Sequence, residues 1–218
     1  MTAPDPPTIR PGRFLSLDGP DGGGKTTQAA RLVAWLRERG HSVVACRDPG
    51  GTALGERLRS VLLERSDSTP TLRTEMLLYM ASRAQLVDEV IRPALKSGNV
   101  VVGDRFLLAN VVYQGHGGGL DPNDIWQVGR VATAGLMPDL TVLLDVPTEV
   151  AKARVGEARD RMEDHPDDYR ARVRAGFLHE ARSCPWPVVV VDGSVSPDEV
   201  AERIRIEVER VLGPCARS

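Results

Sequence analysis

The stretch Phe14-Leu-Ser-Leu-Asp-Gly-Pro-Asp-Gly-Gly-Gly-Lys-Thr-Thr-Gln28 decides the fold of this chain. Its segment from Gly19 to Thr26 fits the pattern G-x-x-x-x-G-K-[ST] without a mismatch. Glycines at such positions let the backbone form a concave nest whose N–H groups bind phosphate oxygens, and the lysine adds a mobile positive charge. An apolar run precedes this loop, and apolar residues at helical spacing follow it. Strand, glycine loop and helix in this order predict a phosphate-binding loop.

The composition is that of a globular protein and favours neither nucleic acid nor a membrane as partner. The 218 residues suffice for one α/β domain, and 41% of them are hydrophobic. There are 28 lysines and arginines against 30 aspartates and glutamates, so no global field attracts a polyanion. Any anionic ligand must therefore be held by local clusters of arginine.

Several features of the sequence predict a cytoplasmic location. The cysteines at 46, 184 and 215 are widely spaced and form no C-x-x-C pair, which is typical of thiols in a reducing compartment. No apolar run approaches the roughly 18 residues of a membrane span. The N-terminus lacks the basic and apolar regions of a signal peptide. We expect its prolines to keep residues 1–12 as a disordered leader.

Four further apolar runs predict the other strands of a parallel sheet. Continuous apolar runs are typical of strands that are buried on both faces, and helical patterns separate these runs. Strands that alternate with helices predict an α/β protein with a five-stranded parallel sheet and helices on both faces. The four runs are residues 43–45, 100–104, 140–144 and 188–191.

The sequence predicts one domain over residues 13–213 and a C-terminal tail at 214–218, because no internal repeat or second hydrophobic unit is visible. The glycine-rich run 115–119 is expected to be a mobile loop. A charged stretch of both signs follows the fourth strand, between about residues 148 and 166.

Three arginines suggest a second anion-binding set. Arg47 and Arg105 follow predicted strands, at the edge where open α/β sheets bind ligands, and Arg83 lies on the long helix expected to cover that edge. A single arginine of this kind is usually a solvated surface residue. The guanine-reading N-K-x-D pattern of GTPases is absent. A phosphate loop with three such arginines favours a kinase whose acceptor itself carries a phosphate.

At this point the sequence resembles the thymidylate kinases, which transfer the γ-phosphoryl group of ATP to dTMP and share the P-loop nucleotide kinase fold. Two of the matching blocks are specific on their own: the phosphate loop, and Asp-Arg-Phe followed by Tyr-Gln-Gly. All of the blocks occur in the expected order, at residues 14–28, 47–52, 75–85, 104–106, 113–115 and 138–147.

The resemblance implies that the loop binds the phosphates of ATP and that Mg²⁺ is the cofactor. Thr26 would ligate the Mg²⁺, and Asp104 would hold a water bound to it or contact the acceptor. The implied ATP-binding residues are Gly19, Pro20, Asp21, Gly22, Gly23, Gly24, Lys25, Thr26 and Thr27.

For the acceptor, the resemblance implies a site built from the second anion-binding set and its neighbours. Arginines would hold the phosphate, an aromatic side chain would stack on thymine, and Tyr113 would pack on the deoxyribose where it crowds a 2′-hydroxyl. Asn110 replaces a small hydroxyl residue, so its amide is a candidate for the bonds to the base. The implied dTMP-binding residues are Asp21, Arg47, Tyr79, Arg83, Arg105, Asn110, Tyr113 and Gln114.

The family resemblance also locates the catalytic arginine. In one subclass this arginine lies within the phosphate loop, at the position that Gly22 occupies here. The chain therefore resembles the subclass whose arginine comes from a lid, at about residues 148–166. The implied catalytic residues are Lys25, Asp21, Asp104, Arg105, Arg154, Arg159 and Arg161.

Two alternatives remain open from the sequence. The first is another nucleoside monophosphate kinase or a deoxynucleoside kinase with a different acceptor. The second is a nucleotide-binding regulator without turnover, against which the intact Lys25, Thr26, Asp104 and Arg105 argue. The expected partners are ATP and dTMP, without nucleic acid or membrane, and the resemblance implies a homodimer.

Overall fold

The computed structural model describes residues 12–64, 69–155 and 166–213. Within these ranges five strands form one parallel sheet in the order β2-β3-β1-β4-β5, which confirms the predicted fold class. All five predicted strands are present, with ends that extend up to two residues further. They are β1 (Arg13–Asp18), β2 (Val43–Arg47), β3 (Val100–Asp104), β4 (Leu140–Asp145) and β5 (Val188–Asp192).

Helices connect successive strands and cover both faces of the sheet. Two segments, here named π1 and π2, have the wider π-helical winding and continue neighbouring α-helices. The helices are α1 (Lys25–Glu38), α2 (Ala53–Leu63), α3 (Leu72–Leu86), π1 (Val87–Ile91), α4 (Arg92–Lys96), α5 (Leu107–Asn110), π2 (Val111–Gly117), α6 (Pro122–Ala132), α7 (Thr148–Val155), α8 (Asp167–Ser183) and α9 (Pro197–Leu212).

The sheet is buried on both sides because neighbouring residues of each central strand point to opposite faces. Leu15 of β1 packs with α1 and α9, in a cluster that includes Leu36 and Ile204. Phe14 packs on the other face, in a cluster with Met80 of α3. This explains why the central strands read as continuous apolar runs.

The strand register brings the polar ends of three strands to one edge of the sheet. Asp104, the last residue of β3, pairs in register with Leu17 of β1 on one side and with Arg47 of β2 on the other. Parallel strands end at the same edge, where a change in strand order opens a crevice for ligands. The residues that follow these strands therefore meet in one place.

The glycine run at 115–119 differs from the prediction of a mobile loop. Residues 115–117 belong to π2, and Gly115 and Gly117 are buried. A Cβ atom on Gly117 would lie 2.9 Å from the ring of Tyr169 and from a methyl group of Val173. At least Gly117 is therefore required because another helix packs closely against it.

Some predictions fall outside the described residues. They concern the leader up to residue 11, the tail at 214–218, and residues 156–165, which include Arg159 and Arg161. The described chain begins at Gly12, whose N–H donates to the carbonyl of Leu95 at 3.2 Å. Within the described ranges, none of the helices combines the length and low polarity that crossing a membrane requires.

Candidate active site

A cleft of about 530 Å³ opens at the carboxyl ends of the strands, a size typical of sites for small molecules. Most of the predicted site residues line it, while Gly19, Pro20 and Gly23 belong to the loop without lining the cleft. The predicted residues in its walls are Asp21, Gly22, Gly24, Lys25, Thr26, Thr27, Arg47, Tyr79, Arg83, Asp104, Arg105, Asn110, Tyr113, Gln114 and Arg154.

The glycine loop has the backbone that its sequence requires. Gly22 and Gly24 adopt left-handed conformations with φ of 74° and 86°, which residues with a Cβ atom rarely adopt. A Cβ atom on Gly22 would also lie 2.3 Å from the carbonyl oxygen of Ala151. Helix α1 begins directly after the loop, at Lys25, so its free N–H groups and positive dipole end point at the place where a phosphate would bind.

Lys25 is a buried cation at the floor of the cleft. Its side chain is only 6% exposed, and Nζ donates to the carbonyl of Pro20 at 2.7 Å. Burial, reinforced by the nearby charge of Arg105, lowers the pKa of Lys25 to about 8, although Asp21 and Asp104 oppose the shift. The neighbouring carboxylates therefore offset only part of the cost of burying the charged lysine, and a bound anion would offset more of it.

Thr26 and Asp104 lie together as predicted for a metal site. The hydroxyl of Thr26 donates to Asp104 Oδ2 at 2.6 Å. A hydroxyl and a carboxylate are the hard oxygen ligands that Mg²⁺ prefers, and Mg²⁺ bound with a nucleotide needs few protein ligands. In the part of the chain that the structure describes, no group of three or more His, Cys, Asp or Glu could hold a metal alone. These two residues fit an ion that is shared with phosphates.

Arg105, Asp21 and Tyr113 form a closed triangle of side chains. The guanidinium of Arg105 donates to Asp21 Oδ1 and, at 3.0 Å, to the carbonyl of Gly19. The Tyr113 hydroxyl donates to Asp21 Oδ2 at 2.9 Å and lies 3.4 Å from Arg105 Nη2. Arg105 has a left-handed φ of 70°, a strain of about 1–3 kcal/mol for a residue with a Cβ atom. Such strain at a strand end is typical of a residue held for function.

The charges around the triangle keep Asp21 ionised. Burial by itself raises the pKa of Asp21, but Arg105 and Lys25 outweigh it and lower the pKa below its ordinary value. The Tyr113 hydroxyl and Arg170 act in the same direction. Burial raises the pKa of Tyr113 well above its ordinary value, so the phenol remains a hydrogen-bond donor.

A buried chain of hydrogen bonds forms the wall opposite the phosphate loop. Arg83 donates to Asp48 Oδ2 at 2.5 Å and to Asn110 Oδ1 at 2.9 Å. Asn110 Nδ2 donates to Gln114 Oε1 at 2.5 Å, and Gln114 Nε2 donates to Glu75 Oε1 at 2.8 Å. Because Arg83 can only donate and the Glu75 carboxylate accepts, both amides have one possible orientation. Each amide atom of Asn110 keeps one further hydrogen-bonding capacity for a ligand.

Asp48 also belongs to this wall, through its bond from Arg83. It is 2% exposed and its Oδ1 has no hydrogen-bond partner among the described residues. Burial raises the pKa of Asp48, and Arg83 opposes this shift. Asp48 lines the cleft, but Oδ1 itself is buried away from solvent.

Arg59 is a residue of the cleft that the sequence reasoning missed. It lies on α2, lines the cleft and donates to the carbonyl of Pro49 at 3.0 Å. Arg47, which was predicted, is half exposed and paired with Glu56 at 3.2 Å. Arg59 lies two helical turns after Thr52, the N-cap of α2, and the sequence alone does not show which face of this helix turns toward the cleft.

Two arginines, one on α7 and one on α8, line separate spaces beside the phosphate loop. Arg154 lines the cleft and donates to the carbonyl of Gly193 at 2.8 Å. Arg170, on α8, was not predicted; it lines a small recess that also includes Pro20, Asp21 and Tyr113. The cleft thus combines a phosphate-binding loop with a second polar wall. This arrangement can hold two phosphate-bearing ligands with their phosphates facing each other.

Comparison with known proteins identifies the family that has this arrangement. A family model described as "Thymidylate kinase" matches residues 17–204. A thymidylate kinase of Rhodopirellula baltica is 48% identical over 194 residues, which cover 89% of this chain and 79% of the relative. One from Leifsonia xyli is 46% identical and covers 93% and 97%, and one from Neisseria gonorrhoeae is 46% identical and covers 92% and 96%.

The lowered pKa of Lys25 predicts that replacing it stabilises the empty protein. At pH 7 the lysine is charged in both the folded and unfolded states, so the cost of burying its charge is fully present. Lys25→Met should raise the free energy of unfolding by about 1–3 kcal/mol at that pH. The unfolded state binds more protons between pH 8 and 10.5, so wild type gains stability there and the difference should shrink.

Urea denaturation of both proteins across this pH range measures the effect. The exposed Lys96 on α4 offers a matched control, and Lys96→Met should change the free energy of unfolding only slightly. A Lys25→Met difference that stays constant from pH 7 to 10.5 would contradict the assignment of the shift to burial.

Proposed function

The chain belongs to the thymidylate kinase family, and from that premise we propose how its own residues transfer the γ-phosphoryl group of ATP to dTMP. The enzyme is an ATP:dTMP phosphotransferase that yields dTDP and ADP. The observation that carries the assignment of roles is the single cleft that joins the phosphate loop to the Arg105–Asp21–Tyr113 triangle. Phosphoryl transfer asks little covalent chemistry of a protein, so each role below is one of positioning or charge.

On the donor side, the glycine loop and Lys25 hold the phosphates of ATP. The under-compensated ammonium of Lys25 gains a partner when the β- and γ-phosphates bind, which favours its charged form. Thr26 and Asp104 would hold Mg²⁺, which, when bound, neutralises negative charge on the phosphates. The supporting observation is that these two oxygen groups are already in contact at 2.6 Å.

On the acceptor side, Arg105, Arg59 and Arg47 hold the phosphate of dTMP. All three line the same cleft, and Arg105 is fixed by Asp21 and Gly19 rather than free to rotate. Arg47 and Arg59 reach this cleft from β2 and α2. Rigid cations at this point orient the acceptor oxygen toward the γ-phosphorus, which is the main catalytic requirement.

The base and sugar bind against the buried hydrogen-bond chain. Arg83 is the donor for the carbonyl edge of thymine, and Asn110, whose amide is already oriented, has capacity left for the base. Gln114 contributes through its bond to Asn110. Tyr79 lines the cleft on α3 as the stacking aromatic. Tyr113, held by Asp21, lies against the deoxyribose and leaves no room for a 2′-hydroxyl.

The catalytic arginine comes from outside the phosphate loop, as Arg154, Arg159 or Arg161. Gly22 occupies the position of a loop arginine, and its positive φ and its close approach to Ala151 leave no space for a side chain. Arg154 lines the cleft but is engaged with the carbonyl of Gly193. Arg159 and Arg161 lie outside the described residues.

The remaining parts of the proposal are the oligomeric state, the ligands and the cellular location of the enzyme. We propose a homodimer, and the supporting observation is a set of exposed apolar side chains on α2, α3 and α6, to be tested by sedimentation. Its ligands are ATP and dTMP rather than nucleic acid, because the arginines of the cleft converge on one small site. ATP is a cytoplasmic metabolite, so we also propose a cytoplasmic location. The exposed apolar residues of α2, α3 and α6 that support the homodimer are Leu54, Val61, Leu77 and Val131.

A panel of acceptors tests the function. In a coupled assay of ADP release, dTMP should be the best of dTMP, dUMP, dCMP, dGMP and thymidine. Because one methyl group is worth about 1–3 kcal/mol, kcat/KM for dTMP should exceed that for dUMP by about 10–200-fold. Purine monophosphates should be much poorer still. Thymidine or a purine monophosphate that outperforms dTMP would contradict the assigned acceptor.

The role of Arg59 predicts an effect on the acceptor phosphate alone. Arg59→Ala should raise KM for dTMP by about 10-fold or more, since a hydrogen bond to a charged group contributes about 1.5–3 kcal/mol. KM for ATP should stay within about twofold, because the loop binds ATP independently. Arg57→Ala is the matched control, since this exposed arginine lies on the same helix outside the cleft. Equal KM values for dTMP in both variants would remove Arg59 from the phosphate site.

The proposal for the catalytic arginine predicts one severe variant among three. Changing Arg154, Arg159 and Arg161 to alanine one at a time should lower kcat at least about 10²-fold in one case, because such an arginine contributes about 10³–10⁵ in rate. KM for dTMP should change little in that variant. Three single variants with near-normal kcat would place the charge elsewhere, and Arg170, beside Asp21, would then be the next candidate.

A further inference from the structure

Helix α8 holds the backbone that carries Tyr113. The hydroxyl of Tyr169, in the first turn of α8, donates to the carbonyl oxygen of Tyr113 at 3.0 Å, and both side chains are buried. One turn later, Arg172 donates two N–H groups to the carbonyl of Gly117 at 3.2 and 3.3 Å. The two contacts fall within and at the end of π2, the segment that presents Tyr113 and Gln114 to the cleft.

The sequence of both elements permits this close approach. A Cβ atom on Gly117 would lie 2.9 Å from the Tyr169 ring, and one on Gly176 of α8 would lie 2.6 Å from His116. One glycine on each helix thus removes the side chain that would separate them. His116 Nε2 also lies 2.6 Å from Glu180 Oε1 on α8, which adds a third polar contact.

Helix α8 contacts the Tyr113 side chain as well as its backbone. The ring of Phe177, two turns after Tyr169, meets the Tyr113 ring edge-on with centroids 5.9 Å apart. The wider winding of π2 departs from the regular α-helical ladder, and such segments are frequent at functional sites. Contacts from outside the segment therefore have a large part in fixing where Tyr113 lies.

We infer that Tyr169 is a positioning residue for sugar selection: its hydroxyl fixes the Tyr113 backbone so that the phenol ring excludes a 2′-hydroxyl. This inference rests on the proposed function, in which Tyr113 lies against the deoxyribose. A 2′-hydroxyl needs only a small displacement of the ring to fit. Discrimination between the two sugars therefore depends on how rigidly the ring is held, and the bond from Tyr169 supplies that rigidity.

Tyr169→Phe tests the inference because it removes only the hydroxyl and leaves the ring that packs against Gly117. The measured quantity is the ratio of kcat/KM for dTMP to that for ribothymidine 5′-monophosphate. This ratio should fall at least about 5-fold, because the Tyr113 carbonyl loses its hydrogen bond from the Tyr169 hydroxyl. KM for dTMP should rise, and kcat should stay within about twofold of wild type. Ser183→Ala, which removes an exposed hydroxyl near the end of α8, should leave the ratio unchanged.

A double-mutant cycle with Tyr113→Ala separates the inference from the proposed function. If Tyr169 acts through Tyr113, Tyr169→Phe should change the ratio in wild type but not in the Tyr113→Ala background. A ratio that Tyr113→Ala itself leaves unchanged would overturn the proposed role of Tyr113. A ratio that falls with Tyr113→Ala but not with Tyr169→Phe would overturn the inference alone.

A merely structural role of Tyr169 gives a different result. It would lower the melting temperature and reduce activity on both nucleotides by the same factor, which would overturn the inference. Arg172→Gln tests the other end of π2 without touching Tyr169 and should lower the sugar ratio in the same direction by about twofold. Hydrogen exchange should be faster at residues 111–117 in both variants, and an unchanged rate in Tyr169→Phe would count against the inference.

Discussion

Charge balance around the cations of the cleft is the constraint on which the rest of the structure depends. Lys25 is 6% exposed and the Arg105 side chain 19%, and buried cations are costly unless they are paired. Asp18, Asp21 and Asp104 surround them, yet the pKa of Lys25 is still lowered to about 8. The carboxylates therefore offset only part of the cost of burying Lys25. A ligand with several phosphates offsets more of this cost, so the stability lost by holding a cation in this place reappears as affinity for the nucleotide.

In the opposite wall, hydrogen-bond donors and acceptors are held in fixed positions. We propose that these fixed positions, rather than additional charge, select the base. Arg83 can only donate hydrogen bonds, and the chain from Asn110 through Gln114 ends on the carboxylate of Glu75. Neither amide can rotate without placing two donors or two acceptors face to face. Such a buried chain of hydrogen bonds is rigid, and one wrong bond costs more than the average bond contributes. The amide groups that we propose for binding the base are consequently fixed before a ligand arrives.

The sequence predicted the parts of this site that depend on local pattern and on topology. The phosphate loop follows from Gly19 to Thr26 alone, and the meeting of Arg47, Asp104 and the loop follows because parallel strands end at one edge. The position of Arg83 followed from the long helix that was expected to cover this edge. Glu75, Asp48 and Arg59 could not be found in this way, because their roles depend on which helix faces turn toward each other after packing. The glycines at 115 to 119 were misread as a mobile loop for the same reason: a pattern shows that a side chain is missing, but not that another helix fills the space.

Gly22 links the charge balance of the cleft to the proposed position of the catalytic arginine outside the phosphate loop. A side chain at this position would collide with Ala151, and an arginine there would add a third cation beside Lys25 and Arg105, where the burial of Lys25 is already only partly offset. The cost of that cation would be present in the empty enzyme, whether or not substrate is bound. A catalytic arginine that comes from outside the loop avoids this cost, because it needs to leave water only when phosphates are there to pair with it. In the proposed mechanism the glycine therefore does more than permit a tight turn: it keeps the positive charge of the catalytic arginine out of the empty cleft.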